Sequence, residues 1–404
     1  MSDILNNAQK AKNKAATFAP DLDLSKYQVP TMDNGLTLKS PAGLSPKEKE
    51  RMEQAGFMAD ENERGGSFLF KDNTPVFFAS SQVGIEVMRI SEALNKYPWL
   101  QEYYWKSVEA DKDKYTAHAA LNQADGYFIR SLPGVKSDRP VQTCLYISSE
   151  NSIQDVHNII IAEEGSELHI ITGCTVDHGV EHALHVGVSE FYVKKDATIT
   201  FTMIHNWGQA IDVRPRTGVT IEENGTYLSN YVIMRPVGSV QSYPSIRCVG
   251  RNSLTRLNTI MVCPKGSLMD IGGAVYLEAT GARAEIVARS ITTGGEVISR
   301  GILCATAPKV KGHLECTSLI MDQGGISDAL PQLRATVPDV DLTHEAAVGR
   351  IDEEEIDYLM SRGMSREQAT STIVRGFLNV DITGLPLALS EEIKKAVNEA
   401  QSGM

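Results

Sequence analysis

A strand–turn–strand unit recurs through the middle of the chain and constrains the fold more than any other feature. Short β-branched runs flank a polar turn in NIIIAEEGSELHII, EFYVKKDATITFTMI, TIEENGTYLSNYVIM, VGRNSLTRLNTIMV and YLEATGARAEIVA. The turn centres lie 27 to 31 residues apart, near Gly165, Asp196, Gly225, Asn252 and Gly281. One such unit cannot bury its own apolar face, but stacked units bury a continuous one. The period therefore predicts a mainly β solenoid, preferably a β-helix, with a β-sandwich as the alternative.

Helical patterns flank the repeats on the N-terminal side. In SPKEKERMEQAG, Ser45 suits the N-cap and Glu48 completes a capping box, with Pro46 at the first helical position. The stretch GIEVMRISEALNKYPWLQEYYWKSV also has a helical pattern, with a break near Pro98. We therefore predict three regions: mostly helical over 1–115, a β core over 116–342 and a helical domain over 343–404.

Three helices are predicted near the C-terminus. IDEEEIDYLMSRG places apolar residues on one face and ends at Gly363, which suits the C′ position. MSREQATSTIVRGFL begins with a capping box of Ser365 and Gln368 and continues as an apolar stripe. LSEEIKKAVNEA, at 389–400, predicts a final short helix. The pattern leaves open whether these helices pack on the end of the solenoid or bind a partner.

Composition narrows the classes of partner and compartment. The formal net charge of −12 argues against a nucleic-acid backbone or an anionic membrane as the main partner. No apolar run reaches the roughly 18 residues needed to cross a bilayer. The stretch MSDILNNAQKAKNKAATF lacks the apolar core of a secretory signal, so we expect a cytoplasmic protein. The six cysteines stand singly, without C-x-x-C, and most are expected to be buried thiols.

Motifs of several enzyme classes are absent from the sequence. There is no G-x-x-x-x-G-K-[ST] and no G-x-G-x-x-G, so the chain itself does not match an ATPase or a dinucleotide enzyme. There is also no G-x-S-x-G and no H-E-x-x-H.

One histidine-rich stretch, GCTVDHGVEHALHVGVSEF, has spacing that suits a metal. Cys174, His178, His182 and His185 are separated by 4, 4 and 3 positions, which would place them on one helix face as zinc ligands. Three glycines in the same stretch disfavour a long helix, so a polar connection between strands is the alternative interpretation.

Two further sets of residues lie where the β pattern meets the C-terminal helical pattern. In a strand, His313 and Cys316 face opposite sides, and Cys316 alone is best explained as a buried cysteine. His344 and Glu345 stand side by side in VDLTHEAAVGRI. Glu345 suits the first turn of a helix, where a carboxylate stabilises the macrodipole. Taken alone, this pair favours a structural and a functional interpretation equally.

Longer stretches carry a family resemblance. They are ALNQADGYFI (120–129), HNIIIAEEGS (157–166), HVGVSEFYVKK (185–195), FTMIHNW (201–207) and THEAAVGRI followed by YLMSRGMSREQA and IVRGFL. In this order they resemble the SufB/SufD family of iron–sulfur cluster assembly scaffolds, over roughly 115–385. The resemblance implies a right-handed parallel β-helix flanked by helical regions. It also implies a scaffold rather than an enzyme, carrying a transient [4Fe–4S] or [2Fe–2S] cluster.

The same resemblance implies site residues. The cluster-site cysteine of SufB falls on Cys316, the glutamate of its H-E-A motif on Glu345, and a SufD histidine important for iron on His344. One chain thus unites SufB-like and SufD-like residues, which implies a homodimer. An interior cysteine of bacterial SufB, proposed to receive persulfide sulfur, falls near Ile221, so free sulfide or another thiol such as Cys248 would serve instead.

Partners also follow from the resemblance. We expect the helices around Tyr358, Arg362, Gly363 and Phe377 to bind a SufC-like ABC ATPase, and apo iron–sulfur proteins to receive the cluster. Two other classes stay open at this point. One is a zinc protein using the 174–185 set, and the other is a carbohydrate-active β-helix with paired carboxylates in a groove.

Overall fold

The computed structural model describes residues 2–18, 20–31, 37–58 and 64–378. The helix predicted at 389–400 lies outside these residues. Within them there are six α-helices: α1 (Ser2–Ala11), α2 (Pro46–Gln54), α3 (Ile90–Lys96), α4 (Lys114–Leu121), α5 (Glu353–Ser361) and α6 (Arg366–Leu378). Not one of the helices in these ranges has the length and apolarity needed to cross a membrane.

The described residues form 21 strands. The first eleven are β1 (Gly66–Lys71), β2 (Thr74–Ser80), β3 (Ile85–Arg89), β4 (Tyr127–Ser131), β5 (Val141–Ile147), β6 (Ser152–Ala162), β7 (Glu167–Val176), β8 (Ala183–Val193), β9 (Thr198–Asn206), β10 (Ile211–Val213) and β11 (Arg216–Ile221). The others are β12 (Thr226–Ile233), β13 (Ser239–Ser242), β14 (Ser245–Cys248), β15 (Leu254–Pro264), β16 (Leu268–Leu277), β17 (Arg283–Thr293), β18 (Glu296–Ala305), β19 (Val310–Ile320), β20 (Ile326–Ala335) and β21 (Val340–Gly349).

Two largely parallel sheets contain these strands. The first sheet has the order β2-β1-β5-β7-β9-β12-β15-β17-β19-β21. The second has the order β10-β13-β16-β14-β11-β8-β6-β4-β3, with β18 and β20 continuing it beyond β16. Successive strands alternate between the sheets, so each neighbour within a sheet comes one full turn later in the chain. The fold is therefore a β-solenoid of about eight turns with helices in the N-terminal and C-terminal regions of the chain, which confirms the predicted class.

The stacked turns explain the period found in the sequence. Gly165, Asp196, Asn224, Asn252 and Gly281 all have positive φ angles, between 53° and 79°. Glycine adopts this left-handed region without strain, and Asn and Asp adopt it more readily than other residues. The backbone N–H groups of the first four donate to carbonyls of the following turn. Four of the five predicted turn centres match these positions, and the fifth is one residue away.

Side chains alternate between the interior of the solenoid and its outer faces. The interior is a continuous apolar core in which the rings of Phe191 and Phe201 lie 4.8 Å apart, and those of Phe191 and Tyr227 lie 5.3 Å apart. Burying one such side chain fully stabilises a fold by about 1.5–3 kcal/mol. The stacking of one turn on the next therefore supplies the stability that no single turn has.

The N-terminal region differs from the mostly helical prediction. Its strands β1 and β2 extend the first sheet, and β3 pairs antiparallel with β4 in the second. The stretch predicted as helical with a break near Pro98 begins instead as β3, continues as α3 to Lys96 and then forms a 3-10 turn from Pro98. Pairing with β4 and β5, which lie far away in sequence, overrides local propensity here. The capping box of Ser45 and Glu48 is present as predicted.

Helices α1, α3 and α4 cover the outer face of the second sheet. The carboxylate of Glu190, buried on β8, accepts hydrogen bonds from the backbone N–H groups of Trp105, Lys106, Ser107 and Val108. A buried carboxylate is tolerated when it is fully hydrogen-bonded in this way. This cluster therefore attaches the chain before α4 to the solenoid.

The C-terminal helices lie against the outer face of the first sheet. Val374 and Leu378 of α6 pack on Ile260, Val262 and Ile291. The capping box of Ser365 and Gln368 is present, and Gly363 has a φ of 93°, as the sequence predicted. The helical segment, however, does not begin at 343. In-register pairing with β19 keeps the chain extended as β21 to residue 349, and α5 starts at 353.

Candidate functional site

The last turn of the solenoid is left open. Among the described strands, β20 pairs only with β18 and β21 only with β19, so each presents one unpaired edge. Apolar side chains are exposed on these strands, with Ile326 at 53%, Leu330 at 47% and Val348 at 43%. Unpaired strand edges readily pair with another chain. This end of the solenoid therefore has the character of an interface.

Cys316 and His344 lie on the inner face of this last turn. Cys316 is paired in register with Ala346, and His344 with Leu314. Leu314 and Cys316 are both buried in the core. Since register partners share a face, His344 is on the same face as Cys316 and two positions away. Ordinary strand geometry then separates their Cα atoms by roughly 8 Å.

Glu345 lies on the opposite, outer face of the same strand. Its register partner is Glu315, which alternates with Leu314 and Cys316 and forms an ion pair with Arg289 on the outside. Within one chain, Glu345 therefore lies on the opposite face of the sheet from Cys316 and His344. In the parts of the chain described here, no three His, Cys, Asp or Glu side chains are grouped closely enough to hold a metal ion.

Burial controls the chemistry of the thiols. All six cysteines are buried and reduced, as expected from their spacing. Burial, with a smaller contribution from Glu315, raises the pKa of Cys316 to about 11. The thiolate is the form that binds metals. Cys316 must therefore lose a proton as it binds a metal.

The second candidate set, Cys174 to His185, is not gathered into a site. The stretch is not a helix: Cys174 is on β7 in the first sheet, and His185 is on β8 in the second. His178 and His182 are exposed in the connection between them, and His182 lies 3.4 Å from Glu150. Because these residues lie on two strands and the connection between them, they do not share the helix face that their spacing predicted. The helix face on which the zinc interpretation rested is therefore absent, and among the described residues these four do not form a group that could hold a metal ion.

His185 is instead a neutral interior side chain. Its Nδ1 lies 2.9 Å from Oε1 of Gln154, and burial lowers its pKa to about 3. Cys248 is also on the inner face, paired in register with Ile221, and burial raises its pKa to about 12. Cys248 thus lies beside the position where the resemblance places an interior cysteine.

Sequence reasoning did not single out the residues around Glu345 on the outer face. Glu315 and Arg289 lie there, and Nδ1 of His313 is 2.8 Å from Oγ1 of Thr343. The repeat period could have identified Glu315, because Glu315 lies one solenoid turn upstream of Glu345 in the sequence. His313 and Cys316 lie on opposite faces, as the strand pattern predicted.

The predicted partner-binding residues divide into two groups. Tyr358 is 58% exposed on α5, and the guanidinium of Arg362 lies 5.2 Å from the centre of its ring, just before Gly363. Phe377, on α6, instead packs against the apolar cluster between that helix and the sheet. The exposed patch is therefore formed by Tyr358, Arg362 and Gly363. Phe377 is not part of it, because its side chain packs between α6 and the first sheet.

Comparisons with known proteins agree with this architecture. The family model described as SUF system FeS cluster assembly, SufBD core domain, matches residues 145–377. A SufBD family iron–sulfur cluster assembly protein of Methanothermobacter thermautotrophicus is 44% identical over the full length of both chains. One from Archaeoglobus fulgidus is 47% identical over 88% of this chain and 95% of its own. One from Pyrococcus horikoshii is 31% identical over 89% and 82%.

Proposed function

Because the chain belongs to the SufBD family of iron–sulfur cluster assembly proteins, we propose that it is a non-enzymatic scaffold on which a nascent cluster is built. The observation that carries the proposal is the open last turn of the solenoid. Cys316, His344 and Glu345 all lie on its final two strands in the first sheet, next to an unpaired edge. Residues at an edge can meet residues of a second chain without rearranging the core.

The three side chains suit a cluster that must later be released. Iron–sulfur clusters favour thiolate ligands, and imidazole can replace some of them. Carboxylate and imidazole are harder ligands than thiolate, so mixed ligation should hold iron less firmly than four thiolates. A scaffold that passes its cluster to apo iron–sulfur proteins benefits from that weaker hold.

A homodimer would bring the separated residues together. Within one chain Glu345 faces away from Cys316 and His344, so no complete ligand set forms. A two-fold interface presents the same surface twice. Pairing two open ends would therefore bring two copies of the three residues to one interface. A cluster with four ligand positions would leave some of them for loading or release.

Energy for assembly would come from a partner. The sequence has no phosphate-binding loop, so we infer that a SufC-like ABC ATPase binds the C-terminal helices. The exposed Tyr358 and the Arg362 that packs over its ring provide an aromatic and cationic patch of the kind enriched at protein interfaces. A cytoplasmic location remains a prediction.

The direct test is metal analysis of the protein purified without oxygen, alone and with the ATPase. Iron and acid-labile sulfide in comparable amounts are expected. Zinc without sulfide would favour a zinc protein, and neither metal nor sulfide after reconstitution with ferrous iron and sulfide would contradict a scaffold.

A further inference from the structure

One arginine on the outer face of the first sheet contacts both the C-terminal helix and the strand next to Glu345. Nη1 of Arg289, on β17, donates to the backbone carbonyl of Phe377 at 3.3 Å. Nε of the same side chain donates to Oε1 of Glu315 at 3.3 Å. A planar guanidinium can make such contacts in two directions at once, whereas a lysine ammonium acts as a point charge.

The contact with Phe377 is at the C-terminal end of α6. The last carbonyls of a helix have no partner within it and carry the negative end of the helix dipole. A cation at this position therefore stabilises the docked helix electrostatically. It adds to the packing of Val374 and Leu378 on the sheet.

The contact with Glu315 involves one of two carboxylates that lie opposite each other on adjacent strands. Glu315 and Glu345 are register partners on adjacent strands, both on the outer face. Like charges directly opposite one another destabilise a sheet. Arg289 offsets the charge of Glu315, and the hydroxyl of Thr317 also donates to this carboxylate at 3.4 Å. The charge next to Glu345 therefore depends on where the guanidinium lies.

We propose that Arg289 is a positioning residue that couples the C-terminal helix α6 to Glu345 through Glu315. The inference rests on the proposed function, in which Glu345 is a ligand and the C-terminal helices bind the ATPase. A partner that displaces α6 removes the Phe377 carbonyl from the guanidinium and changes the charge that Glu345 experiences. In this way, movement of α6 by the ATPase changes the charge around the cluster residues through one side chain, that of Arg289.

The test uses the full chain with Arg289→Gln, Glu315→Gln and the double variant. The matched control is Arg256→Gln. Arg256 forms a similar outer-face ion pair, with Glu285 at 3.1 Å, near the start of its strand and away from the residues that α6 covers. Two measurements are made: amide hydrogen exchange of α6 in the iron-free protein, and anaerobic titration with ferrous iron alone.

We expect Arg289→Gln to speed exchange in α6 severalfold and to tighten ferrous iron binding severalfold, because the uncompensated carboxylate of Glu315 adds negative charge beside Glu345. Glu315→Gln in the same chain should return iron binding to near the wild-type value but leave exchange in α6 fast, because no uncompensated carboxylate remains. Arg256→Gln should change neither measurement.

Two results would overturn the coupling. Unchanged exchange in α6 on Arg289→Gln would show that the arginine does not hold the helix. The same change in iron binding in Arg289→Gln and in the double variant would show that the effect does not pass through Glu315. A wild-type protein that binds no iron would instead contradict the proposed function, and the exchange measurement would still decide whether Arg289 holds α6.

Discussion

Cys316 continues a row of small side chains across the first sheet. Its register partners on the two adjacent strands are Ala288 and Ala346, and all three positions face the interior. Alanine at position 316 would therefore extend an existing pattern rather than open a large cavity. This makes the thiol chemically distinctive but structurally replaceable.

We therefore expect Cys316→Ala to abolish iron and sulfide retention after anaerobic reconstitution while lowering the free energy of unfolding by only about 1 kcal/mol. Cys263→Ala is the control, because Cys263 is also an interior thiol of the first sheet and is not a candidate ligand. Metal and sulfide analysis, with thermal unfolding, checks both variants. Wild-type cluster content in Cys316→Ala would contradict the assignment.

His185 gives the solenoid a dependence on pH. Burial lowers its pKa to about 3 in the folded chain, whereas the unfolded chain binds the proton near 6.5. Between these values the unfolded state binds more protons, so stability falls as the pH is lowered. The stability that neutral His185 contributes is fully present above about pH 6.5 and decreases by about 1.4 kcal/mol per pH unit towards pH 3.

The measurement is the midpoint of thermal unfolding between pH 7 and pH 4. His185→Gln should flatten this profile relative to wild type, because the replacement does not titrate. His178→Gln, at an exposed position of the same stretch, should leave the slope unchanged. Equal slopes in all three proteins would refute the role of His185.

Among the elements, the unpaired edges of β20 and β21 can be tested directly. A charge on an edge strand opposes pairing with a second chain. Leu330→Lys and Val348→Lys together should shift the protein towards the monomer in size-exclusion chromatography. The stability of each folded chain should change by no more than about 0.5 kcal/mol per substitution.

Val249→Lys provides the matched control for the edge variants. Val249 is an exposed valine in the connection after β14, remote from the open end. It should leave the oligomeric state as in wild type. Edge variants that remain dimeric would place the interface elsewhere.

The exposed patch on α5 makes a separate prediction. Tyr358→Ala removes the ring over which Arg362 packs and should weaken ATPase binding by about 2 kcal/mol, or roughly 30-fold. Val83→Ala is the control, since Val83 is 96% exposed in the connection between β2 and β3. Isothermal titration with the ATPase distinguishes them. Unchanged affinity for Tyr358→Ala would rule out this patch as the binding surface.

At the scale of the whole molecule, the separation of Glu345 from Cys316 predicts a site shared between two chains. Chains carrying Cys316→Ala and chains carrying His344→Ala with Glu345→Ala are co-expressed with different tags. The isolated heterodimer should retain a cluster differently from either mutant homodimer, because it has one intact copy of each residue. A wild-type chain that stays monomeric with the ATPase, yet assembles a cluster, would exclude a shared site.

Features that depend on local conformation could be predicted from the amino-acid sequence alone. The turns at Gly165, Asp196, Asn252 and Gly281 need residues that accept a positive φ, and such residues are visible without a structure. The capping boxes are also visible in a few adjacent residues, and they predicted where two helices begin. The repeat period of the turns predicted the solenoid. The family resemblance singled out Cys316, His344 and Glu345.

Features that depend on pairing between distant segments could not be predicted in this way. The strands β1 to β3 form because β4 and β5 accept them, and β21 continues past Glu345 because β19 keeps it in register. The same register places Cys316 on the inner face and Glu345 on the outer face, opposite Glu315, which forms an ion pair with Arg289. Local propensity carries no information about which strand lies alongside, so these positions follow from long-range packing alone.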